Sequence, residues 1–326
     1  MSTQKIVDLI DKLDAKLAVL LCHHNADPDA IGAAYALKGL LKRLRPNLNI
    51  EIAAASGPSR LSKAIMNVVP IELTSPQIEE ADIIFLVDTN TIQQLNELGE
   101  QIKPKSSLVV IDHHASHPET ERLTTLSISD ENASSTCEVV YRLFKETDIK
   151  PSADEAKALF LGIAFDTRHF IIATSDTLKV VANLVESGLD SQETLSILSL
   201  PMEHPERVAR LKAANRVQLL RVKDWLVAFS HVSAYQASAC RALIYLGAHV
   251  AVVAGQKRDK IQVSFRASNE FYARTGFHLG RDLAKPLGEF LGGMGGGHSV
   301  SAGANGVGDV DACLKFCAEV LEKRLK

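Results

Sequence analysis

Four short apolar runs, Lys16 to Leu21, Asn49 to Ala54, Asp82 to Val87 and Ser107 to Ile111, alternate with stretches of helical periodicity, and this alternation restricts the possible folds more than any other feature. Between the first two runs, Ala30, Ala34, Leu37, Leu41 and Leu44 recur at three- and four-residue spacing. Strands with so few polar interior positions are buried on both faces. Strands that alternate with helices form a mostly parallel, Rossmann-like α/β sheet with helices on both faces. Such a sheet offers its ligand sites beyond the carboxyl ends of its strands. From Ser135 to Ser199 the pattern turns helical, with Ser134, Ser135 and Thr136 available as caps ahead of Glu138 to Phe144.

The second half reads as a smaller α/β domain. A helix from about His204 to Val222 is expected to link the halves. It is followed by strands at Trp225–His231, His249–Gly255 and Lys260–Arg266 and helices near 233–245, 279–291 and 310–326. The division expected is 1–195, a helical linker 196–223, and 224–326, since 326 residues exceed what one core usually serves. A glycine-rich loop, Gly292 to Gly297 interrupted by Met294 and ending at His298, is expected between the last two helices.

A composition of 46% apolar and 23% charged residues excludes a disordered, collagenous or coiled-coil chain. The longest apolar runs, Leu17–Cys22 and Ala248–Gly255, fall far short of the roughly 20 residues of a membrane span. Lys5, Asp8, Asp11 and Lys12 interrupt the start of the chain where a secretory signal would be apolar, so a cytoplasmic protein with no membrane partner is expected. Five cysteines with no C-x-x-C pair read as buried small residues rather than as a disulfide framework or a zinc knuckle. Residues 201–275 hold twelve Lys or Arg against five Asp or Glu, a local +7 in a chain of net charge −3. A basic stretch opposite an acidic remainder suits an anionic substrate bridged by metal.

The acids and imidazoles gather at element ends. After the first strand comes His23-His24-Asn25-Ala26-Asp27-Pro28-Asp29-Ala30; the third ends in Val87-Asp88-Thr89-Asn90 and the fourth in Ile111-Asp112-His113-His114. A later helical segment carries Gly162-Ile163-Ala164-Phe165-Asp166-Thr167. One Asp after a strand is ordinarily a turn former or a cap. Four such motifs at one sheet edge, with no Lys or Arg inside them, require cations. Asp and His donors without Cys favour Mn²⁺, Mg²⁺ or Co²⁺ over structural zinc. Five or six donors are too many for one catalytic ion that must keep open positions, so two divalent ions are expected, roughly 3.5–4 Å apart if one Asp is shared. In the glycine-rich stretch, Gly295, Gly296 and Gly297 let backbone N–H groups approach a phosphate while His298 adds a donor. Arg266 suits a bidentate phosphate contact, with Ser264 and Ser268 on the same strand face.

In combination and order, H-x-x-x-D-x-D-A at His23 to Ala30, V-D-T-N at Asp88, D-H-H at Asp112 to His114 and G-I-x-x-D-T at Gly162 to Thr167 resemble the motifs of the DHH phosphoesterases. Ser264-Phe265-Arg266 and the glycines ending at His298 resemble the small substrate-binding domain of the nanoRNase and pAp-phosphatase branch. The resemblance implies a catalytic domain at 1–195 and a substrate-binding domain at 224–326. It implies that His23 and Asp27 hold one metal, that Asp29, His113 and Asp166 hold the other, and that Asp88 bridges. Asp112 would orient the imidazoles, and His114 would face the substrate phosphate. His24 departs from the pattern and reads as a surface or hydrogen-bonded imidazole facing elsewhere.

The function this implies is a metal-dependent phosphodiesterase or exoribonuclease that degrades very short single-stranded RNA or dinucleotides to nucleoside 5′-monophosphates, with pAp as a second substrate. Hydrolysis of c-di-AMP or its linear product pApA is the nearest alternative, and a RecJ-like single-strand exonuclease is another. Only 5% of residues are aromatic, which leaves few stacking platforms for a long strand. A metal-free scaffold in a nucleic-acid-processing complex is the reading of a different class. A homodimer is compatible with the sequence.

Overall fold

The computed structural model describes residues 2–75, 78–102, 107–199 and 202–325. The chain divides into two compact units, 1–200 and 201–326.

The first unit is built on five parallel strands, β1 (Leu17–Cys22), β2 (Asn49–Ala54), β3 (Ile83–Val87), β4 (Ser107–Asp112) and β5 (Thr124–Ser129), in the order β2-β1-β3-β4-β5. Because strand side chains alternate, β1 feeds two cores. Ala18, Leu20 and Cys22 pack with Leu37, Phe85, Phe144 and Leu159 on one face, while Val19 and Leu21 pack with Ile84, Leu86, Leu95 and Val110 on the other. The first face is covered by long helices, including Pro28–Leu44, Thr136–Lys145 and Ala153–Asp166. The second carries, among the described residues, short helical segments such as Ile78–Glu80, Ile92–Leu95 and Glu97–Glu100.

Register fixes where the site must lie. Cys22 pairs with Val87 and Val87 with Ile111, so His23, Asp88 and Asp112 leave three adjacent strands side by side. The chain runs to β2 on one side of β1 and to β3 on the other, so the crevice at the carboxyl ends of β1 and β3 is the switch point of a doubly wound sheet.

The second unit contains a six-stranded mixed sheet: β6 (Gln218–Val222), β7 (Trp225–His231), β8 (Val250–Lys257), β9 (Lys260–Ala267), β10 (Met294–Gly297) and β11 (Ser301–Val307), ordered β10-β11-β9-β8-β7-β6. Val227, Val252, Val263 and Phe265 face the helical stretch 279–290 and the Val310–Leu325 helix; Ala228, Ala251 and Val253 face Ala239 and Cys240 of the Gln236–Tyr245 helix. In place of a linker helix reaching Val222, the helix His204–Asn215 ends before β6 and belongs to this unit. Ala213 is fully buried there, its carbonyl accepts from Ser230 Oγ, and Arg210 Nε donates to Ser238 Oγ.

The glycine-rich stretch is likewise not a loop from end to end. Residues 294–297 pair with β11 as an edge strand, Gly295 opposite Ala304 and Gly296 opposite Gly303. A Cβ on Gly295 would lie 1.7 Å from the Ala284 carbonyl oxygen, so glycine there lets the strand pack backbone to backbone against the helical stretch 279–290. All five cysteines are buried free thiols, and no described helix is long and apolar enough to cross a membrane.

Candidate metal centre

The loop after β1 turns directly into a helix, and Asp27 caps it: one carboxylate oxygen, Oδ1, accepts from the Asp29 and Ala30 N–H groups. Its Oδ2 lies 3.8 Å from His23 Nε2. The His23 ring is held from behind by its Nδ1, 2.8 Å from the His24 carbonyl, so Nε2 faces the carboxylates. His24 itself is tied to Gln94: its N–H donates to the Gln94 carbonyl and its Nδ1 lies 3.1 Å from the same oxygen.

Asp29, fully buried, points the other way, into the N-terminus of the Thr136–Lys145 helix. Its Oδ2 accepts from Thr136 N (2.6 Å) and its Oδ1 from Cys137 N (2.9 Å). Two N–H groups at a helix start are a natural seat for a carboxylate. Gly162 leaves the room, since a Cβ there would stand 2.9 Å from Asp29 Oδ1 and 2.3 Å from Cys137 Sγ. Asp166 ends the same Ala153–Asp166 helix one turn on, with Oδ2 3.1 Å from His113 Nε2.

Asp88 joins the two groups. It adopts a left-handed backbone (φ +57°), its side chain is almost wholly buried, and its Oδ1 accepts from Thr136 Oγ1 at 2.7 Å. Oδ2 lies 3.7 Å from His23 Nε2, and Oδ1 lies 3.7 Å from His113 Nε2. Beneath it Asp112, wholly buried, accepts on Oδ1 from the His113 and His114 N–H groups and lies 2.8 Å from His114 Nδ1. His114 keeps more than half its side chain in solvent.

The structure therefore brings together His23, Asp27 and Asp88; Asp29, His113 and Asp166; and Asp88, Asp112, His113 and His114, with donor atoms inside each group within 4.8 Å of one another. Crowded charge and burial distort several titrations here. Burial pulls His23 down, but Asp27 and Asp88 outweigh it and lift it to about 10. Burial likewise opposes His113, yet Asp166 and the other carboxylates raise it to about 9; Asp112 holds His114 at about 9. Burial, with Asp27 and Asp166 nearby, pushes Asp88 up to about 6 despite His23. Burial and three neighbouring carboxylates push Asp29 well above the usual range. Beside burial, these shifts reflect a surplus of negative charge that protons neutralise in part and divalent cations neutralise better.

One buried atom tests that fit. Asp112 Oδ2 has no hydrogen-bond partner among the described residues, an arrangement that costs free energy unless something else fills its valence. The donors are oxygen and imidazole nitrogen; the nearest thiols, Cys22 and Cys137, are buried and held well above their ordinary pKa. The cluster is compatible with divalent metal ions.

The residues singled out in the second unit share a face only in part. Arg266 pairs with Ser301 and Ser264 with Gly303, which pairs in turn with Gly296. Ser264, Arg266 and Gly296 thus lie on one face, and a Cβ on Gly296 would meet nothing within 4 Å. His298 continues the row, its N–H donating to the Ser301 carbonyl. Gly295 and Gly297 alternate to the other face. A Cβ on Gly280 would fall 2.1 Å from the Gly297 carbonyl oxygen, so that face is closed by the helical stretch 279–290. Ser268 does not extend the row but caps the Asn269–Thr275 helix.

Sequence reading missed Thr136, treated as a cap only. Ser135 is the cap, freeing Thr136 to hold Asp29 through its N–H and Asp88 through its hydroxyl. The available signal was polar residues at the start of a helix aimed at the acidic edge.

A parallel sheet with carboxylates and imidazoles converging at its switch point is the arrangement of an enzyme site and is compatible with divalent cations. The family described as "DHH family, N-terminal domain" matches residues 18–163, and the chain belongs to the DHH family as a phosphoesterase. An uncharacterized protein of Methanocaldococcus jannaschii, MJ0988, is 36% identical over 305 residues, covering 92% of this chain and 90% of the relative. The bifunctional oligoribonuclease and PAP phosphatase NrnA of Bacillus subtilis is 26% identical, covering 55% of this chain and 56% of that one. A probable manganese-dependent inorganic pyrophosphatase of Streptococcus thermophilus is 30% identical, covering 44% and 46%. The chain thus spans about half the length of each of the latter two. Among solved structures, an exopolyphosphatase-related protein of Bacteroides fragilis superposes with a TM-score of 0.67 over 99% of this chain and 96% of its own, at 18% identity, a likeness of fold.

Proposed function

We propose that this phosphoesterase is a phosphodiesterase that uses two divalent ions, Mn²⁺ foremost, to degrade very short oligonucleotides to nucleoside 5′-monophosphates, with pAp as a second substrate. The observation that carries the reading is Asp88, whose two oxygens face His23 on one side and His113 on the other, as a shared ligand requires. The similarity to NrnA and to a manganese-dependent pyrophosphatase supports the substrate class and the metal.

In this reading His23, Asp27 and Asp88 hold one ion, and Asp88, Asp29, His113 and Asp166 hold the other. Divalent ions, when bound, offset the carboxylate charge and bring the pKa of a water towards neutrality, which suits in-line attack on phosphorus. The helix N-terminus at Thr136 and Cys137 fixes Asp29, and the Thr136 hydroxyl fixes Asp88. Asp112 binds the Nδ1 side of His114, leaving Nε2 towards solvent, where a protonated ring donates to a phosphate oxygen or to the leaving 3′-oxygen. In the second unit we assign capture of a substrate phosphate to Arg266, Ser264, His298 and the backbone at Gly296, with Gly295 and Gly297 holding that strand in place.

The test is a substrate panel of pApA, c-di-AMP, pAp, inorganic pyrophosphate and RNAs of two to about twenty nucleotides, run with Mn²⁺ and Mg²⁺. Fastest turnover of the shortest linear RNAs is the expected result. Preference for c-di-AMP, pyrophosphate or long strands refutes the substrate assignment, and a metal-free inert protein points to a scaffold.

A further inference from the structure

On the His23 side of the cluster lies an open cleft of about 590 Å³ that no step above uses. His23 and Asp27 form one wall, Phe165 and Leu61 supply apolar surface, and Asn25 and Arg60 also line it. Both apolar side chains are half-buried on the first core, so each presents part of its surface outward.

Their positions relative to the cluster are set by short, rigid links. Phe165 directly precedes Asp166, in the last turn of its helix. Leu61 lies in the first turn of the Arg60–Met66 helix, which is tied to the Asp27 loop by three hydrogen bonds: Ser59 N and Ser62 Oγ donate to the Ala26 carbonyl, and Ala26 N donates to the Gly57 carbonyl. A phosphate held beside His23 and Asp27 therefore places whatever it carries on that side over an aromatic ring and a leucine. Inorganic phosphates offer such a surface nothing, because their oxygens need water or donors. A phosphate ester bearing a flat apolar group gains by covering it, and the group that fits is a nucleobase.

We propose that Phe165 and Leu61 form a nucleobase subsite, so that this chain selects nucleotide esters over inorganic polyphosphates at the metal-binding edge itself. This rests on the phosphodiesterase reading above. Asn25 supplies amide donors and acceptors at the cleft for the edge of the base.

The experiment compares kcat/KM, with Mn²⁺, for pApA and for two analogues in which one or the other base is replaced by hydrogen. Wild-type protein is expected to prefer pApA over one of the analogues by roughly tenfold to a hundredfold, the ordinary worth of one base stacked on an aromatic ring. Phe165→Leu keeps an apolar side chain but loses the ring face, and should collapse that ratio towards one. Phe165→Tyr should restore it. Leu61→Gln, away from the helix that carries Asp166, should reduce the same ratio. Thermal melting and bound-metal content establish that each variant is folded and loaded. Equal cleavage of pApA and both analogues by the wild type, or an unchanged ratio in Phe165→Leu and Leu61→Gln, overturns the subsite while leaving phosphodiesterase activity in place. A wild type that cleaves none of the three removes the functional reading and the subsite together.

Discussion

Thr136→Val removes one hydroxyl and almost nothing else. The side chain is fully buried, valine is nearly isosteric, and the backbone N–H that holds Asp29 stays in place. What is lost is the 2.7 Å hydrogen bond to Asp88 Oδ1, a neutral donor serving a buried carboxylate. A hydrogen bond to a charged group is worth roughly 1.5–3 kcal/mol. At 1.4 kcal/mol per factor of ten, that is about a 10- to 150-fold loss if the bond serves the metal-loaded state as fully as it serves the fold. The change also carries a pH signature. Asp88 already stands at about 6, chiefly through burial, and losing a donor raises it further. Protons then compete better with cations, so the defect in Mn²⁺ affinity should be larger at pH 6 than at pH 8. Calorimetric Mn²⁺ titration at both values, with dinucleotide turnover and a melting curve, reads all of this. Wild-type affinity and turnover at pH 6 in a folded Thr136→Val protein would show that Asp88 does not depend on Thr136 for its role.

Three further outcomes are expected. His23, His113 and His114 stand at about 10, 9 and 9, above their ordinary 6.5, so the stability they add to the metal-free protein is complete below pH 6.5 and drains away as pH rises towards 9–10. Melting temperature of the metal-free protein should therefore fall from pH 6.5 to 9 and fall less with saturating Mg²⁺; an upward slope contradicts the assignment. Gly295→Ala should destabilise the second unit by driving a methyl into the Ala284 carbonyl, whereas Gly296→Ala, with open space before it, should melt as wild type and weaken substrate binding; equal melting of the two variants refutes the alternating-face account. Arg168, His169 and Phe170 all adopt left-handed backbone (φ +52°, +58° and +69°), a cost of roughly 1–2 kcal/mol for each residue. Arg168→Gly should thus gain about 0.5–1 kcal/mol after the greater flexibility of the unfolded chain is counted, measured by denaturant unfolding; a loss of stability would mean that the arginine side chain holds the turn.

Why some of this was legible in the sequence and some was not follows from the physics of each element. β1, β3 and β4 are buried on both faces, so their apolar runs stand out, and the acids that end them mark the carboxyl edge. β5, Thr124–Ser129, alternates half-buried and exposed positions at the edge of the sheet and carries Thr and Ser, so it leaves no apolar run to find. β10 is hidden for a different reason: its glycines signal a turn by composition, and only the backbone of the helical stretch 279–290 makes them a strand. β6 is an edge strand with Leu219 exposed, and its sequence continues the periodicity of the preceding helix past the true end at Asn215. At the candidate site the acids and imidazoles His23, Asp27, Asp29, Asp88, Asp112, His113, His114 and Asp166 lie close together, as their places at element ends suggest. Thr136 escaped because its contribution depends on a helix start meeting two strand ends, a relation that no local pattern encodes.

The central claim is that two cations share Asp88, and counting them is the most direct test. Elemental analysis and calorimetry of Mn²⁺-saturated protein should give two ions per chain, with Asp88→Asn folded, deficient in both ions and inactive on pApA. A wild-type protein that turns over with one ion or none, or an Asp88→Asn protein that keeps two tightly bound ions and full turnover, would contradict it.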